Sequence, residues 1–291
     1  MNLPQFYVDD LIKTALAEDI SYLDLTTDLL IAPDSVSDAF FLAKAEGVLA
    51  GLDIACRVFE LTDGEVGIIK HFKDGGRVKN GEVLAELRGK TAALLKSERV
   101  ALNLLQHTSG IATYTAKCVD AIAGTNAKIT DTRKTLPGLR ALQKYAVLCG
   151  GGFNHRFNLS DCALLKNNHI DAYGGIANAV AALRAKLGHT ANIEVEVRNF
   201  AELNEALDAG VKIILLDNMN TFDMREAVRI RDEYVGVDVS VRPCREIYLE
   251  ASGNITLENV REVAQTGVDV ISMGALTHCV QAFDVSLRFK R

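Results

Sequence analysis

No stretch of this 291-residue sequence approaches the ~20 consecutive apolar residues that a membrane-spanning helix requires, so no bilayer crossing is expected. The opening Met1-Asn2-Leu3-Pro4-Gln5 has neither a basic segment nor a long apolar one, so no secretory signal is expected either. Cysteines are few and scattered. Cys56, Cys118, Cys149, Cys162, Cys244 and Cys279 form no Cys-x-x-Cys pair and no zinc-ligand spacing. They read as reduced residues of a cytoplasmic protein. There is no low-complexity segment and no polybasic tail, and a net charge of −6 argues against non-specific nucleic-acid binding. What remains is a 48% hydrophobic chain, suited to two domains or to one barrel with an appendage.

Positive charge is outweighed overall but concentrated in one place. Between Lys128 and His169 lie seven basic residues (Lys128, Arg133, Lys134, Arg140, Lys144, Arg156, Lys166) against two acids (Asp131, Asp161), a local charge of +5. A cationic island on an acidic chain suits a small, highly charged anion. A solvated basic helix face is the ordinary alternative, but Pro137-Gly138 and Gly150-Gly151-Gly152 interrupt the run as no helix would tolerate. Pro137 presets a turn that Gly138 can complete, and the triple glycine is expected to let the backbone approach something closely.

The rest of the chain falls into two textures. Phe6, Val8, Leu11, Ile12, Ala15 and Leu16 keep helical spacing. After Ser37 come short apolar runs (Ala39–Leu42, Val48–Leu52, Val66–Ile69, Val83–Leu87) separated by Asp63-Gly64, Asp74-Gly75 and Asn80-Gly81, which signal strands and hairpins. The Gly75–Leu84 segment resembles a biotinyl or lipoyl carrier hairpin but lacks a suitably placed lysine, so it reads as scaffold. Thr91 to about Gly110 is again helical, with a domain boundary expected near Gln106–Gly110. Beyond it, strand-like runs (Ala127–Thr132, Cys162–Lys166, Ile193–Val197, Lys212–Leu216, Ile247–Ala251, Val268–Met273) alternate with helical ones (Ala177–Leu187, Ala201–Ala209, Leu257–Gln265). This alternation implies parallel βα units, and each strand run ends in a polar or glycine residue, as at the catalytic face of a βα barrel. About 165 residues suffice for six or seven strands rather than the eight of a full ~250-residue barrel.

The motifs are specific enough to carry a resemblance. Thr-Arg-Lys-Thr-Leu-Pro-Gly-Leu-Arg (132–140), Lys-Tyr-Ala-Val (144–147), Gly-Gly-Gly-Phe-Asn-His-Arg (150–156) and Lys-Asn-Asn-His (166–169) are similar to those of the quinolinate phosphoribosyltransferases (nicotinate-nucleotide pyrophosphorylases, carboxylating). So are Glu194–Val197, Leu215–Asn218 and Ser272–His278, and the resemblance extends over nearly the whole chain. Phe157-Asn158 replaces the Leu-Gly that often follows His-Arg in the family, and Asn254 stands where its Ser-Gly-Gly has a second glycine. The resemblance implies an N-terminal α/β sandwich domain (1–108, with 276–291 returning to it) and an incomplete, about seven-stranded parallel βα barrel (109–275). It implies a homodimer with shared active sites, use of Mg²⁺, and no nucleic-acid or membrane partner. The expected reaction is phosphoribosyl transfer from phosphoribosyl pyrophosphate (PRPP) to quinolinate with loss of CO₂.

Residue by residue, the resemblance assigns Arg133, His155, Arg156 and Lys166 to quinolinate, with Arg99 reaching it from a partner subunit. Arginine forks suit carboxylates. Alone, His155 would read as a structural histidine, and Arg99, on a helix rich in Leu, Ala and Val, as half of a surface ion pair. Lys134 and Lys166 would stabilise the departing diphosphate. Glu196 and Asp217, each set in an apolar strand, would hold ribose hydroxyls and Mg²⁺, directly or indirectly, with Glu194 a weaker candidate on the same strand face. Ser252, Gly253, Asn254, Gly274 and Ala275 would cradle the 5-phosphate through backbone N–H groups, supported by Asp269 and His278. Three rivals stay open: a Schiff-base aldolase using Lys166, a related transferase for another anionic acceptor, and a non-catalytic anion binder.

Overall fold

The computed structural model describes residues 3–236 and 247–290. In chain order the helices and strands are α1 (Gln5–Asp19), α2 (Leu25–Leu30), β1 (Val36–Ala43), β2 (Gly47–Val48), α3 (Leu52–Thr62), β3 (Gly67–Lys70), β4 (Arg77–Val78), β5 (Val83–Lys90) and α4 (Thr91–Ala121). They continue with β6 (Lys128–Thr130), α5 (Arg140–Cys149), β7 (Ala163–Leu165), α6 (Asn167–Tyr173), α7 (Ile176–Arg184), β8 (Ile193–Val197) and α8 (Phe200–Asp208). The last are β9 (Ile213–Asp217), α9 (Thr221–Val235), β10 (Tyr248–Ser252), α10 (Val260–Ala264), β11 (Val270–Ser272), α11 (Ala275–His278) and β12 (Val285–Phe289). The chain divides into two compact units. Within the described residues, one takes 3–116, 136–151 and 279–290, and the other takes 117–135 and 152–278.

The first unit is built on an antiparallel sheet in the order β12-β1-β5-β3. Alternation along β1 sends Ala39, Phe41 and Ala43 to one face, opposite Leu87, Ala85, Leu287 and Val285 on the neighbouring strands. Helices cover that face with Val8, Ile12, Ala55, Phe59, Leu94 and Leu105, and the Phe41 and Phe59 rings meet edge to face at 5.9 Å. One expected strand became a helix. Val48–Leu52 reads as a strand from its apolar run, yet pairing stops at Val48. Gly51 adopts φ +85, and the Asp74 carboxylate accepts from Gly51 N (2.7 Å) and Leu52 N (3.0 Å), which starts α3. The apolar spacing Leu52, Ala55, Cys56, Phe59 then buries one helix face.

The helix α4 runs unbroken to Ala121, and the two compact units divide within it, between Ala116 and Lys117. By compactness, residues 136–151 group with the first unit, and with them the first two members of the triple glycine. A Cβ on Gly150 would lie 2.4 Å from Ala112 O and 2.6 Å from Thr115 Cβ, so the close approach it permits is to α4.

The second unit is a parallel sheet in the order β6-β11-β10-β9-β8-β7, with helices between the strands that run from β7 to β11 in chain order. Its six strands match the six strand runs of the sequence to within two residues at most boundaries. Where about seven strands are expected, six are seen among the described residues. Beyond β6, Phe153 makes a single parallel bridge to Thr130, with Asp131 N donating to Phe153 O (3.2 Å) and Phe153 N to Ile129 O (2.8 Å).

The register separates two faces of this sheet. Ile129, Leu165, Val195, Val197, Ile214, Leu216, Leu249, Ala251 and Ile271 lie on one, buried and wholly apolar. Such a face is a packing surface for helices. The other carries Thr130, Glu194, Glu196, Asp217, Glu250, Ser252 and Ser272, and three of these are buried carboxylates. Buried acids are costly unless compensated. That requirement, not packing, explains what this face contains.

Candidate active site

Compensation comes first from His155. Its backbone N–H donates to Asp131 Oδ1 (2.9 Å), fixing the loop beside β6. Its ring Nε2 lies 3.2 Å from Glu194 Oε1 and 3.4 Å from Glu250 Oε1, with both glutamates buried and the histidine partly so. Burial opposes a charge on the ring, but the hydrogen bonds and attraction of Glu194 and Glu250 outweigh it and raise the His155 pKa to about 10. Burial also raises the Glu194 pKa, with His155 opposing and the Glu250 charge adding to it. The two directions agree once one imidazolium is seen to lie between two buried acids: both hold the proton on His155, while burial and the neighbouring Glu250 charge disfavour the Glu194 anion. Glu250 escaped the sequence reading, although Tyr248-Leu249-Glu250-Ala251 repeats the pattern of an acid inside an apolar strand that marks Glu194 and Glu196.

The remaining cations stand at the C-terminal ends of strands. Lys166 follows β7, and its Nζ lies 3.3 Å from Glu196 Oε2, with the lysine exposed and the glutamate buried. Arg156 donates from Nη1 to Cys162 O (2.7 Å), while its buried Nε has no hydrogen-bond partner among the described residues. A buried arginine N–H left over in this way is ready for an anionic oxygen. Arg133 and Lys134 follow β6, and Thr277 Oγ1 donates to Lys134 O (2.7 Å), tying that loop to α11. The Lys134 side chain runs across Gly274. A Cβ there would meet Lys134 Cδ and His278 Nε2, both at 2.9 Å. His278 therefore stands at the site. Asp269 does not: it precedes β11, at the opposite ends of the strands, and pairs with buried Arg231 (2.7 Å) while accepting from Leu249 N (2.9 Å).

Asp217 ends β9 in register with Ser252 on β10. Its Oδ1 accepts from Asn218 Nδ2 (2.8 Å), and Asn218 N donates to Ser252 O (2.9 Å). Gly253 at φ +102 and Asn254 at φ +52 continue the turn. This turn does not run straight into a helix, as the sequence suggests, because α10 starts only at Val260. Ala275 does open α11, which is one turn long.

The structure thus gathers Arg133, Lys134, His155, Arg156, Lys166, Glu196, Asp217, Ser252, Gly253, Asn254, Gly274 and Ala275 within the second unit. Arg99 belongs to the first unit, where it is exposed on α4. Arg140 and Lys144 of the cationic island also belong to the first unit, where Lys144 is buried. Glu196 and Asp217 offer oxygen donors at successive levels of neighbouring strands. Mg²⁺ is commonly held by one or two carboxylates and substrate phosphates, so this donor set fits it.

Fixed cations and acids at the C-terminal ends of parallel strands are the arrangement of an α/β enzyme with an anionic ligand. Comparison with known proteins narrows the class. Residues 24–109 match the family model of the quinolinate phosphoribosyltransferase N-terminal domain, and residues 111–288 match that of its C-terminal domain. The nicotinate-nucleotide pyrophosphorylase (carboxylating) of Mycobacterium leprae is 43% identical over 281 residues, covering 96% of this chain and 95% of that protein. A probable enzyme of the same name from Bacillus subtilis is 44% identical over 93% of this chain and 89% of its own. The crystal structure of NadC from Streptococcus pyogenes superposes with a TM-score of 0.92 at 40% identity, covering 100% of both chains. This chain belongs to the quinolinate phosphoribosyltransferase family.

Proposed function

We propose that the chain transfers the phosphoribosyl group of PRPP to quinolinate and releases CO₂. The products are nicotinate mononucleotide and pyrophosphate, a step of NAD biosynthesis. One observation carries this reading: cations at the strand ends stand over a sheet face of buried carboxylates. A simple anion binder gains nothing from acids turned toward its ligand, whereas a site for ribose hydroxyls, a metal and two anions needs both signs.

In this reading Arg133 and Arg156 grip quinolinate carboxylates, and buried Arg156 Nε supplies one of the donors. The pyridine nitrogen attacks the anomeric carbon as the bond to pyrophosphate breaks, through an oxocarbenium-like state. Glu196 and Asp217 orient the ribose, while Lys134 and Lys166 stabilise the departing diphosphate. When bound, Mg²⁺ supplies further charge stabilisation on the pyrophosphate oxygens. The ring nitrogen is then cationic and accepts the electron pair left when the adjacent carboxylate departs as CO₂, and a proton takes its place on the ring carbon. Lys166 suits this role better than that of a Schiff-base lysine. It is exposed beside Glu196, not enclosed in an apolar pocket.

The same reading carries a cytoplasmic homodimer in which exposed Arg99 reaches the quinolinate of the partner subunit. The deciding experiment incubates the protein with quinolinate, PRPP and Mg²⁺ and follows nicotinate mononucleotide. Its absence rejects the assignment. Borohydride trapping with a carbonyl substrate would favour the aldolase instead. Quinolinate without PRPP should release no enzyme-dependent CO₂, since the electron sink forms only after transfer.

A further inference from the structure

Two residues outside glycine adopt left-handed backbone in the described chain, Asn218 (φ +53) and Asn254 (φ +52), and their side chains meet. Asn254 Nδ2 donates to Asn218 Oδ1 at 2.9 Å, and Asn218 Nδ2 donates onward to Asp217 Oδ1 at 2.8 Å. Both amides are thereby oriented: each gives one N–H in the same direction along the line. Gly253 lies beneath the contact. A Cβ there would come within 2.2 Å of Asn218 Oδ1, so the relay needs a residue without one between Ser252 and Asn254. The turn is held from behind as well. Asn259 Nδ2 donates to Asn254 O (3.1 Å), and its Oδ1 accepts from Thr256 N (2.8 Å).

Left-handed backbone favours glycine, and a side chain there is retained at a conformational cost. Nothing in the turn itself needs the Asn254 amide, since its backbone alone accepts from Asn259. The geometry points to Asn254 as a positioning residue that acts through Asn218 to hold the Asp217 carboxylate in one rotamer facing the ribose of PRPP. This rests on the reading of Asp217 as a PRPP ligand.

The test compares Asn254→Gly, Asn254→Asp and Asp217→Asn. Glycine suits the backbone at φ +52, so Asn254→Gly should melt at the same temperature as the parent or higher. Its KM for PRPP should nevertheless rise about fivefold to tenfold, the worth of one positioning hydrogen bond, while KM for quinolinate stays within about twofold. Asn254→Asp keeps the size and the left-handed tolerance but sets a carboxylate against Asn218 Oδ1. Its PRPP kinetics should be worse than those of the glycine variant. Unchanged PRPP kinetics in Asn254→Gly, alongside impaired Asp217→Asn, overturn the relay alone. Unchanged PRPP kinetics in Asp217→Asn overturn both the relay and the reading beneath it. A loss in Asn254→Gly that follows a lower melting temperature and affects both substrates equally makes the residue structural and also overturns the relay.

Discussion

Replacing His155 by glutamine tests the buried pincer of Glu194 and Glu250 most directly. The variant keeps a polar side chain of similar size but removes the imidazolium the two acids share. Removing one partner of a buried ion pair costs about 3–5 kcal/mol. For a unit of this size the melting temperature should fall by roughly 6–20 °C. The loss should also depend on pH in a particular way. Folded His155 has a pKa of about 10 against an ordinary value of 6.5, so the folded state holds an extra proton between those limits. Its contribution is full below about 6.5 and is lost as pH climbs toward 10. In the variant, Glu194, whose pKa burial already raises, takes up a proton as pH falls and so relieves the repulsion. The gap between parent and variant should therefore be widest around and just below pH 6.5, narrow as pH climbs toward 10, and narrow again in acid as Glu194 takes up its proton. Scanning calorimetry of both proteins at one fixed concentration measures it. A gap independent of pH, or smaller than about 1 kcal/mol at neutrality, refutes the shared-cation account.

Three further outcomes follow from the site. Gly274→Ala should push the flexible end of Lys134 aside, cutting kcat/KM for PRPP by about 100-fold with little change in melting temperature; an unaltered kcat/KM would remove Lys134 from the diphosphate. Arg156→Lys keeps the charge but loses the fork, and should cost about 2–3 kcal/mol in kcat/KM for quinolinate, with near-parental kinetics as the contrary result. Arg99→Ala and Lys166→Ala should each be nearly inactive, yet mixing them with subunit exchange should restore roughly a quarter of the sites if Arg99 acts across a two-fold dimer. No recovery would place Arg99 in its own subunit's chemistry.

The second unit was legible because its strands are short apolar runs ending in a residue of chemical interest, as Leu215-Leu216-Asp217 and Ala163-Leu164-Leu165-Lys166 are. Parallel strands buried on one face by helices leave such runs, and the functional groups fall just after them. Glu250 was missed although it sits inside an apolar run as Glu194 and Glu196 do, and the register of both with Leu215 shows that it shares a face with Glu196. The first unit was harder to read. Leu52 continues an apolar run begun at Val48, and only Asp74, distant in sequence, tells the backbone to turn into a helix there. Gly150 misled for a similar reason: a glycine that admits a helix backbone looks, in sequence, like one that admits a ligand.

The strand that completes the first sheet has a consequence for how the protein is made. β1 is flanked by β5 on one side and by β12 on the other, and about 240 residues separate Ala43 from its partner Val285. At about 5–20 residues per second, that edge of β1 waits roughly 10–50 s on the ribosome before its neighbour exists. During that interval Phe41 and its flanking residues present an open row of N–H and C=O groups, the kind of template that recruits strands from other chains. A nascent chain stalled or truncated anywhere before Val285 would keep that edge exposed indefinitely. Loss of a few C-terminal residues should then appear in cells as insolubility, though the catalytic side chains are all present.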